Sequence, residues 1–260
     1  MKKTIRRIFL KFFDPIAFRF GYNKNESTNN NDSVIDLYNK NNLLKTFYCI
    51  LKSINFKPEH IVDIGANHGT WTREALIEFP NCIYTLVEPQ SGMKESIEDL
   101  LETNPNISFN AFGAGKKSGL YKFTIADRDD SGSFIYSEGQ AKEKGFKQIE
   151  VPIITLNELI EEKNLPIPDI IKIDAEGLDI EVLEGSSNFF GKTEVFMVEA
   201  GVVNKVFTNS FLELINFMDE KGYRLFDITD LNRPLKSPVL WLVELVFVKK
   251  NGIIDSFMWI

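Results

Sequence analysis

Ile61-Val62-Asp63-Ile64-Gly65-Ala66-Asn67-His68-Gly69 is answered nineteen residues later by Glu88. A short apolar strand runs into a glycine-rich turn, then a helix, then a second strand that ends on a carboxylate. Residues 61–64 suit a strand buried on both faces, because the run is short and apolar. Gly65 permits a backbone turn that a side chain obstructs. Gly69 is expected to let the following helix pack closely on the strand. Glu88 stands where a carboxylate accepts both hydroxyls of a ribose. That order is how a doubly wound α/β domain holds an adenosine-containing cofactor.

Outward from this stretch the chain alternates strands and helices. Strands are expected at 61–64, 83–88, 107–112, 170–174 and 195–199, with helices at about 70–79, 92–103, 156–162, 178–184 and 211–221. Such alternation gives a parallel sheet with helices on both faces. The tail differs. Residues 223–228 and 241–248 are apolar strands with no helix between them, so they pair as an antiparallel hairpin at the sheet edge. Between Gly119 and Pro152 lies extra material, including the polar segment 127–145. An insertion there overhangs the carboxyl ends of the strands, where ligands bind in open α/β sheets.

Upstream, residues 1–20 mix Lys2, Lys3, Arg6, Arg7, Lys11 and Arg19 with Ile8, Phe9, Leu10, Phe12, Phe13, Phe18 and Phe20. Charges interrupt every apolar run, so a secretory core is absent. Two readings stay open. One is a basic amphipathic helix against anionic lipid or a partner protein. The other is a helix packing its Phe face on the domain or on a second subunit, as in a homo-oligomer. Residues 23–33 are polar and Asn-rich and read as a linker. Residues 34–54 suggest one or two helices. The expected division is therefore a helical, basic extension over 1–55 and a main domain over 56–260.

A chain of 260 residues can bury one sizeable core. A formal charge of −7 argues against a general nucleic-acid binder, since phosphate neutralisation needs surplus Lys and Arg. Cys49 and Cys82 lack CxxC spacing and read as buried free thiols of a reducing, cytoplasmic compartment. His60 and His68 are too few for a usual zinc cluster. No run approaches the ~20 apolar residues of a bilayer crossing.

Asp63, Gly65 and Gly69 form acidic-x-Gly-x-x-x-Gly. A dinucleotide fold wants a glycine where Asn67 stands, because Cβ there crowds a pyrophosphate. With five parallel strands and an antiparallel pair, the chain resembles the Rossmann-like, seven-stranded fold of class I S-adenosylmethionine-dependent methyltransferases. A second signature, Ile171-Lys172-Ile173-Asp174-Ala175-Glu176-Gly177 continuing to Leu183-Glu184-Gly185, resembles the lysine-x-Asp-x-Glu-Gly block of the FkbM family. The first loop resembles that family's Asp-x-Gly-Ala-Asn-x-Gly. Val151-Pro152-Ile153-Ile154-Thr155-Leu156-Asn157-Glu158-Leu159 resembles its strand-Thr-Leu-Asp-Glu-Leu segment, with Asn157 where Asp is commoner. Ser131-Gly132-Ser133-Phe134 resembles a further serine-containing segment, which is either a ligand contact or a plain turn.

The resemblance implies an O-methyltransferase using S-adenosylmethionine. The acceptor it implies is a hydroxyl of a sugar, glycan or secondary metabolite, and the basic N-terminus suits work at the inner face of a membrane. Asp63, Gly65, Asn67 and Gly69 then form the cofactor loop under its methionine end. Glu88 holds the ribose, Ala111 or its neighbours face the adenine, and Asp174 lies near the sulfonium methyl. Transfer to a hydroxyl is helped by a general base, for which Asp174, Glu176, Glu199 and His68 are the candidates. Asp174 and Glu176 diverge if the strand geometry persists through them. The same carboxylates with Glu199 alternatively hold Mg²⁺. Bland readings stand beside these: Glu176 as a helix cap, Glu199 as a salt-bridged strand end, and Asp179, Glu181 and Glu184 as a solvated helix face. Two other classes are a nicotinamide-dependent oxidoreductase and a cofactor fold kept only as a binding module.

Overall fold

The computed structural model describes residues 42–125, 132–203, 210–233 and 239–257. The expected helix over 1–20 and the linker over 23–33 lie outside them. The chain divides into two units, Met1–Phe56 and Lys57–Ile260. Of the first, the described part holds helix α1 (Leu43–Ser53). Cys49 in this helix is partly exposed rather than buried.

The second unit carries a seven-stranded sheet in the order β3-β2-β1-β7-β8-β10-β9. Its strands are β1 (His60–Ile64), β2 (Ile83–Val87), β3 (Ile107–Asn110), β7 (Ile170–Ile173), β8 (Val195–Gly201), β9 (Tyr223–Asn232) and β10 (Leu242–Lys249). The first five are mutually parallel. β10 runs antiparallel to both β8 and β9. The expected hairpin is therefore present with one difference: its second strand inserts beside β8 and its first becomes the edge. Composition explains the choice. β10 buries Val243, Leu245, Val246, Phe247 and Val248, whereas β9 ends on the exposed Asp230, Leu231 and Asn232. An apolar strand gains most from cover on both sides, and charge blunts an edge.

Helices α2 (Thr70–Glu78), α3 (Glu98–Thr103), α5 (Leu156–Glu162), α6 (Asp179–Glu184) and α7 (Phe211–Glu220) separate the strands. The expected helix at 92–103 is a 3₁₀ segment, Ser91–Ile97, leading into α3. Two of the starts are written in the sequence as capping boxes. Thr155 accepts from the Glu158 amide and Glu158 reaches back to the Thr155 amide, which begins α5. Ser210 and Glu213 do the same for α7. The Thr-Leu-Asn-Glu-Leu block thus has a local physical reason.

Alternation along the strands sorts the two faces. Val62 and Ile64, Ile171 and Ile173, Phe196, Val198 and Ala200, and Val243, Leu245 and Phe247 enter one core with Leu156, Leu159, Leu183, Leu214 and Met218. Side chains of opposite parity, among them Asp63, Lys172, Glu199 and Glu244, point to the other face.

The extra material forms a second sheet, β4 (Gly113–Ala114), β6 (Lys147–Ile154) and β5 (Gly119–Ile125), in the order β4-β6-β5. Helix α4 (Glu138–Lys144) precedes β6. Phe123, Val151 and Ile153 give this sheet its own small core, packed by Phe134. A short helix, α8 (Ile253–Phe257), follows β10.

Candidate active site

The loop after β1 is shaped by what crosses it. Gly65 has φ +74°, and a Cβ there would lie 1.9 Å from the carbonyl oxygen of Asp174. The Gly65 and Ala66 amides both donate to the Val87 carbonyl, at 2.9 and 3.1 Å. Asn67 is also left-handed, φ +46°, a conformation Asn tolerates. Gly69 (φ +72°) caps α2, and its close neighbours are Ile97 and Leu100, not the strand expected from the sequence. A side chain at Gly69 would push on the 3₁₀ turn that follows Glu88.

Glu88 is buried one residue past β2. Its Oε2 accepts the Asn67 amide at 3.0 Å and its Oε1 accepts the Gln90 amide at 2.9 Å. Burial raises its pKa above the usual glutamate value, with those two amides and Lys172 opposing. The Gln90 side chain also bonds this carboxyl, so three protein donors face it. Ala111 is exposed just past β3, and its neighbour Asn110 is buried with Nδ2 donating to the Leu86 carbonyl at 2.9 Å.

Asp63 is fully buried. One oxygen accepts the Thr72 hydroxyl of α2 at 2.5 Å. The other lies 3.3 Å from Nζ of Lys172, its in-register neighbour on β7. That ammonium also stands 3.5 Å from Asp174 and donates to the Gly65 carbonyl at 3.2 Å. Lys172 is the one buried Lys or Arg among the described residues. Burial works against its charge, and Asp63, Asp174 and Glu244 outweigh that effect, so it stays protonated beyond the usual lysine range.

The chain turns sharply after β7. Strand geometry ends at Ile173; Glu176 (φ +53°) and Gly177 (φ +102°) are both left-handed. Asp174 and Glu176 therefore do not diverge as in an extended strand. Their charges meet: burial first, then Asp174 and Asp179, push the Glu176 carboxyl up to about 9. Burial, Asp174, Asp179 and Glu176 likewise hold Glu199 well above its ordinary value. Asp174, Glu176 and Glu199 thus share one electrostatic neighbourhood.

Two bland readings need correction. Asp179 is not on a solvated face: it is fully buried and accepts the Ala175 amide at 2.8 Å and the Gly177 amide at 3.3 Å. The cap of this turn is therefore Asp179, not Glu176. Burial raises Asp179 to about 7. Glu181 and Glu184 are partly exposed, and Glu184 pairs with Lys116 at 2.9 Å.

The second sheet fastens to this same turn. The Ser133 hydroxyl and the Phe134 amide both donate to the Glu176 carbonyl, at 3.1 and 3.3 Å. Phe134 packs edge-on against Phe123 with ring centres 4.8 Å apart. Ser131 lies outside the described residues. Asn157 takes a bracing role, with Nδ2 to Ser187 Oγ at 3.0 Å and Oδ1 from the Asn188 amide at 3.1 Å. His68 sits partly exposed in the loop, its amide held by the Asn67 side chain at 2.7 Å.

Glu244 and Thr72 were not singled out from the sequence, and Lys172 and Asp179 were given no role in the site, Lys172 standing only within the family block and Asp179 only on a supposed solvated face. Two of them had a signal. Lys172 interrupts Ile170–Ile173 and Glu244 interrupts Leu242–Lys249, and a charge inside a buried strand requires a partner. Glu244 is bonded by the Thr229 hydroxyl at 2.5 Å and is raised by burial to about 7. Among the described residues, no three His, Cys, Asp or Glu side chains are arranged to hold a metal ion. Nor is any described helix long and apolar enough to cross a membrane.

With this geometry in place, comparison with known proteins adds the following. The methyltransferase FkbM domain matches residues 63–225, from the first acidic residue of the loop into β9. That match sets aside the nicotinamide-dependent reading. No curated protein sequence matches the chain. Solved structures similar to it include a precorrin-6y C5,15-methyltransferase from Geobacter metallireducens, at 14% identity and TM-score 0.45, covering 77% of this chain and 85% of that one. A 1,6-didemethyltoxoflavin-N1-methyltransferase from Burkholderia thailandensis, solved with S-adenosylhomocysteine, is similar at 11% identity and TM-score 0.46, covering 84% and 82%. A putative RNA methyltransferase from Pyrococcus horikoshii is similar at 14% identity and TM-score 0.44, covering 80% and 81%.

Proposed function

The chain belongs to the methyltransferase FkbM domain family, and from that premise we propose that it methylates a hydroxyl oxygen of a sugar, glycan or secondary metabolite with S-adenosylmethionine as donor. The observation that carries this reading is the crowding of Asp174, Glu176 and Glu199 beside the loop after β1, where Glu176 and Glu199 are held above their ordinary pKa values.

The residues present fit the donor. Glu88 presents a buried carboxyl just past β2, where ribose hydroxyls would lie, and acidic side chains near Lys172 outnumber basic ones. When bound, S-adenosylmethionine supplies a methyl group on a positively charged sulfur and leaves as a neutral thioether. The side chains that would hold it are Glu88, the loop Gly65–Gly69, and Asp174, with Asp63 acting from below through Lys172 and Thr72. A hydroxyl must lose its proton as it attacks. A carboxyl raised to about 9 is a far stronger proton acceptor, once ionised, than an ordinary glutamate. Glu176 and Glu199 are therefore the preferred bases among the candidates. Alignment of acceptor and donor supplies much of the remaining rate. The acidic chain, charge −7, favours an acceptor other than bulk nucleic acid.

The test has two arms. Calorimetry on the full chain should show S-adenosylmethionine binding, weakened about a hundredfold in Glu88→Ala, on the order of two lost hydrogen bonds to a charged group. Labelled methyl should pass to a small-molecule or glycan fraction of cell extract as an ether stable to mild alkali. Label found only in nitrogen-linked or ester products would overturn the hydroxyl reading.

A further inference from the structure

We propose that Lys172 determines how strongly the site prefers the cationic donor over the neutral thioether product. The inference rests on the cofactor reading above.

Lys172 occupies an unusual place. It rises from β7 on the sheet face opposite the main apolar core, level with Asp63 on β1. Its ammonium ends against the Gly65 carbonyl and between Asp63 and Asp174, at 3.2, 3.3 and 3.5 Å. Those contacts bridge the loop after β1 to the turn after β7. The side chain is almost wholly buried, so water screens its charge little. The acidic groups whose charges it feels or opposes are Asp63, Asp174, Glu176, Glu199 and Glu244, with Glu88 across the loop; Asp179 in turn acts on Glu176 and Glu199.

A lone cation beneath so many carboxyls has two separable effects. As a tether it holds both loops, which helps donor and product alike because they share every atom but the methyl. As a charge it repels a sulfonium above the sheet and leaves a thioether nearly indifferent. At an effective dielectric constant of about 20, a unit charge within about 10 Å of a bound cation would shift its binding by roughly tenfold or more. Lys172 thus keeps the donor from being held too tightly while its contacts hold Asp63 and Asp174 in their places. Binding the ground state less tightly leaves more of the interaction for the transition state.

The experiment measures dissociation constants of S-adenosylmethionine and S-adenosylhomocysteine for the wild type, Lys172→Met, Lys172→Gln and Lys172→Arg. Lys172→Gln retains an N–H donor for the Gly65 carbonyl should the Met variant fail to fold. The neutral variants are expected to raise the preference for donor over product about tenfold, whatever happens to absolute affinity. Lys172→Arg should restore the wild-type ratio. A ratio unchanged in a folded neutral variant, with both ligands weakened equally, would reduce Lys172 to a tether and overturn the proposal. Failure of the wild type to bind either ligand would instead remove the cofactor reading itself.

Discussion

The two edges of the seven-stranded sheet handle buried polar groups in opposite ways. At the amino edge polar groups are met one by one by individual partners; even the buried Glu194, just before β8, has the Lys249 ammonium and the Ile253 amide to itself. His60 lies between the Pro166 carbonyl at 2.8 Å and the Thr85 hydroxyl at 2.9 Å, so Nδ1 carries the proton and Nε2 accepts. Asp169 accepts the amides of Glu59 and His60, at 2.7 and 3.2 Å. Cys82 donates to the Pro58 carbonyl, and burial pushes its thiol up to about 11. At the carboxyl edge, charges of one sign crowd around Lys172. Satisfied polar groups brace a fold; a cluster of acids with perturbed titration marks a place for a ligand.

The sharpest way to break that contrast is Gly65→Ala. The new methyl would strike the Asp174 carbonyl in a left-handed backbone, joining a collision to a conformational strain of about 1–3 kcal/mol. Loss of donor binding by calorimetry and a loss of at least that size by chemical denaturation are expected. Asp179→Ala comes next. It leaves the Ala175 and Gly177 amides without their acceptor and should cost about 1–3 kcal/mol. Because those amides set the turn carrying Glu176, methyl transfer should fall further than stability alone explains.

The pH dependence of the ligand-free protein sharpens the comparison, because the two edges respond with opposite sign. Folding holds a proton on Glu176 up to about pH 9, whereas the unfolded chain releases it near 4.5. The folded state binds the extra proton across that window, so the carboxyl edge loses stability as pH rises through it. Asp179 and Glu244, raised to about 7, act in the same direction. His60 is lowered below its usual 6.5, chiefly by burial, so its edge loses stability as pH falls below that value. Thermal unfolding from pH 5 to 9 should show the alkaline limb flattened in Glu176→Gln and the acid limb flattened in His60→Gln. Unaltered limbs would sever the link to these two groups. The smallest effect is expected of Asn157→Asp. A carboxylate can accept from both Ser187 Oγ and the Asn188 amide, so stability should move by no more than about 0.5 kcal/mol.

Much of this was legible in the chain itself. The apolar run at β1, Gly65 and Gly69, and the carboxylate after β2 mark a cofactor-type α/β fold because a strand, a tight turn and a helix leave few residue choices at those places. Glu176 and Glu199 could be singled out as acidic residues near strand ends. Their electrostatic coupling could not, since it depends on a left-handed turn at Glu176 and on β7 and β8 lying side by side. Asp179 was misread because its helical spacing matches that of Glu181 and Glu184, and only the backward fold of the Asp174–Leu178 turn buries it. Gly69 was matched to the wrong neighbour for a similar reason: Ile97 comes near only when the 3₁₀ turn folds back on the loop.

The order of residues alone determined the alternation of elements, the glycine turn and the family signature, because backbone sterics and hydrophobic period act over a few neighbours. Tertiary structure alone decided that β10 would enter the sheet ahead of β9, and that Lys172 would meet Asp63, Asp174 and the Gly65 carbonyl at one point. Those outcomes depend on which strands compete for burial and which charges are brought together across more than a hundred residues, and neither is encoded in local spacing.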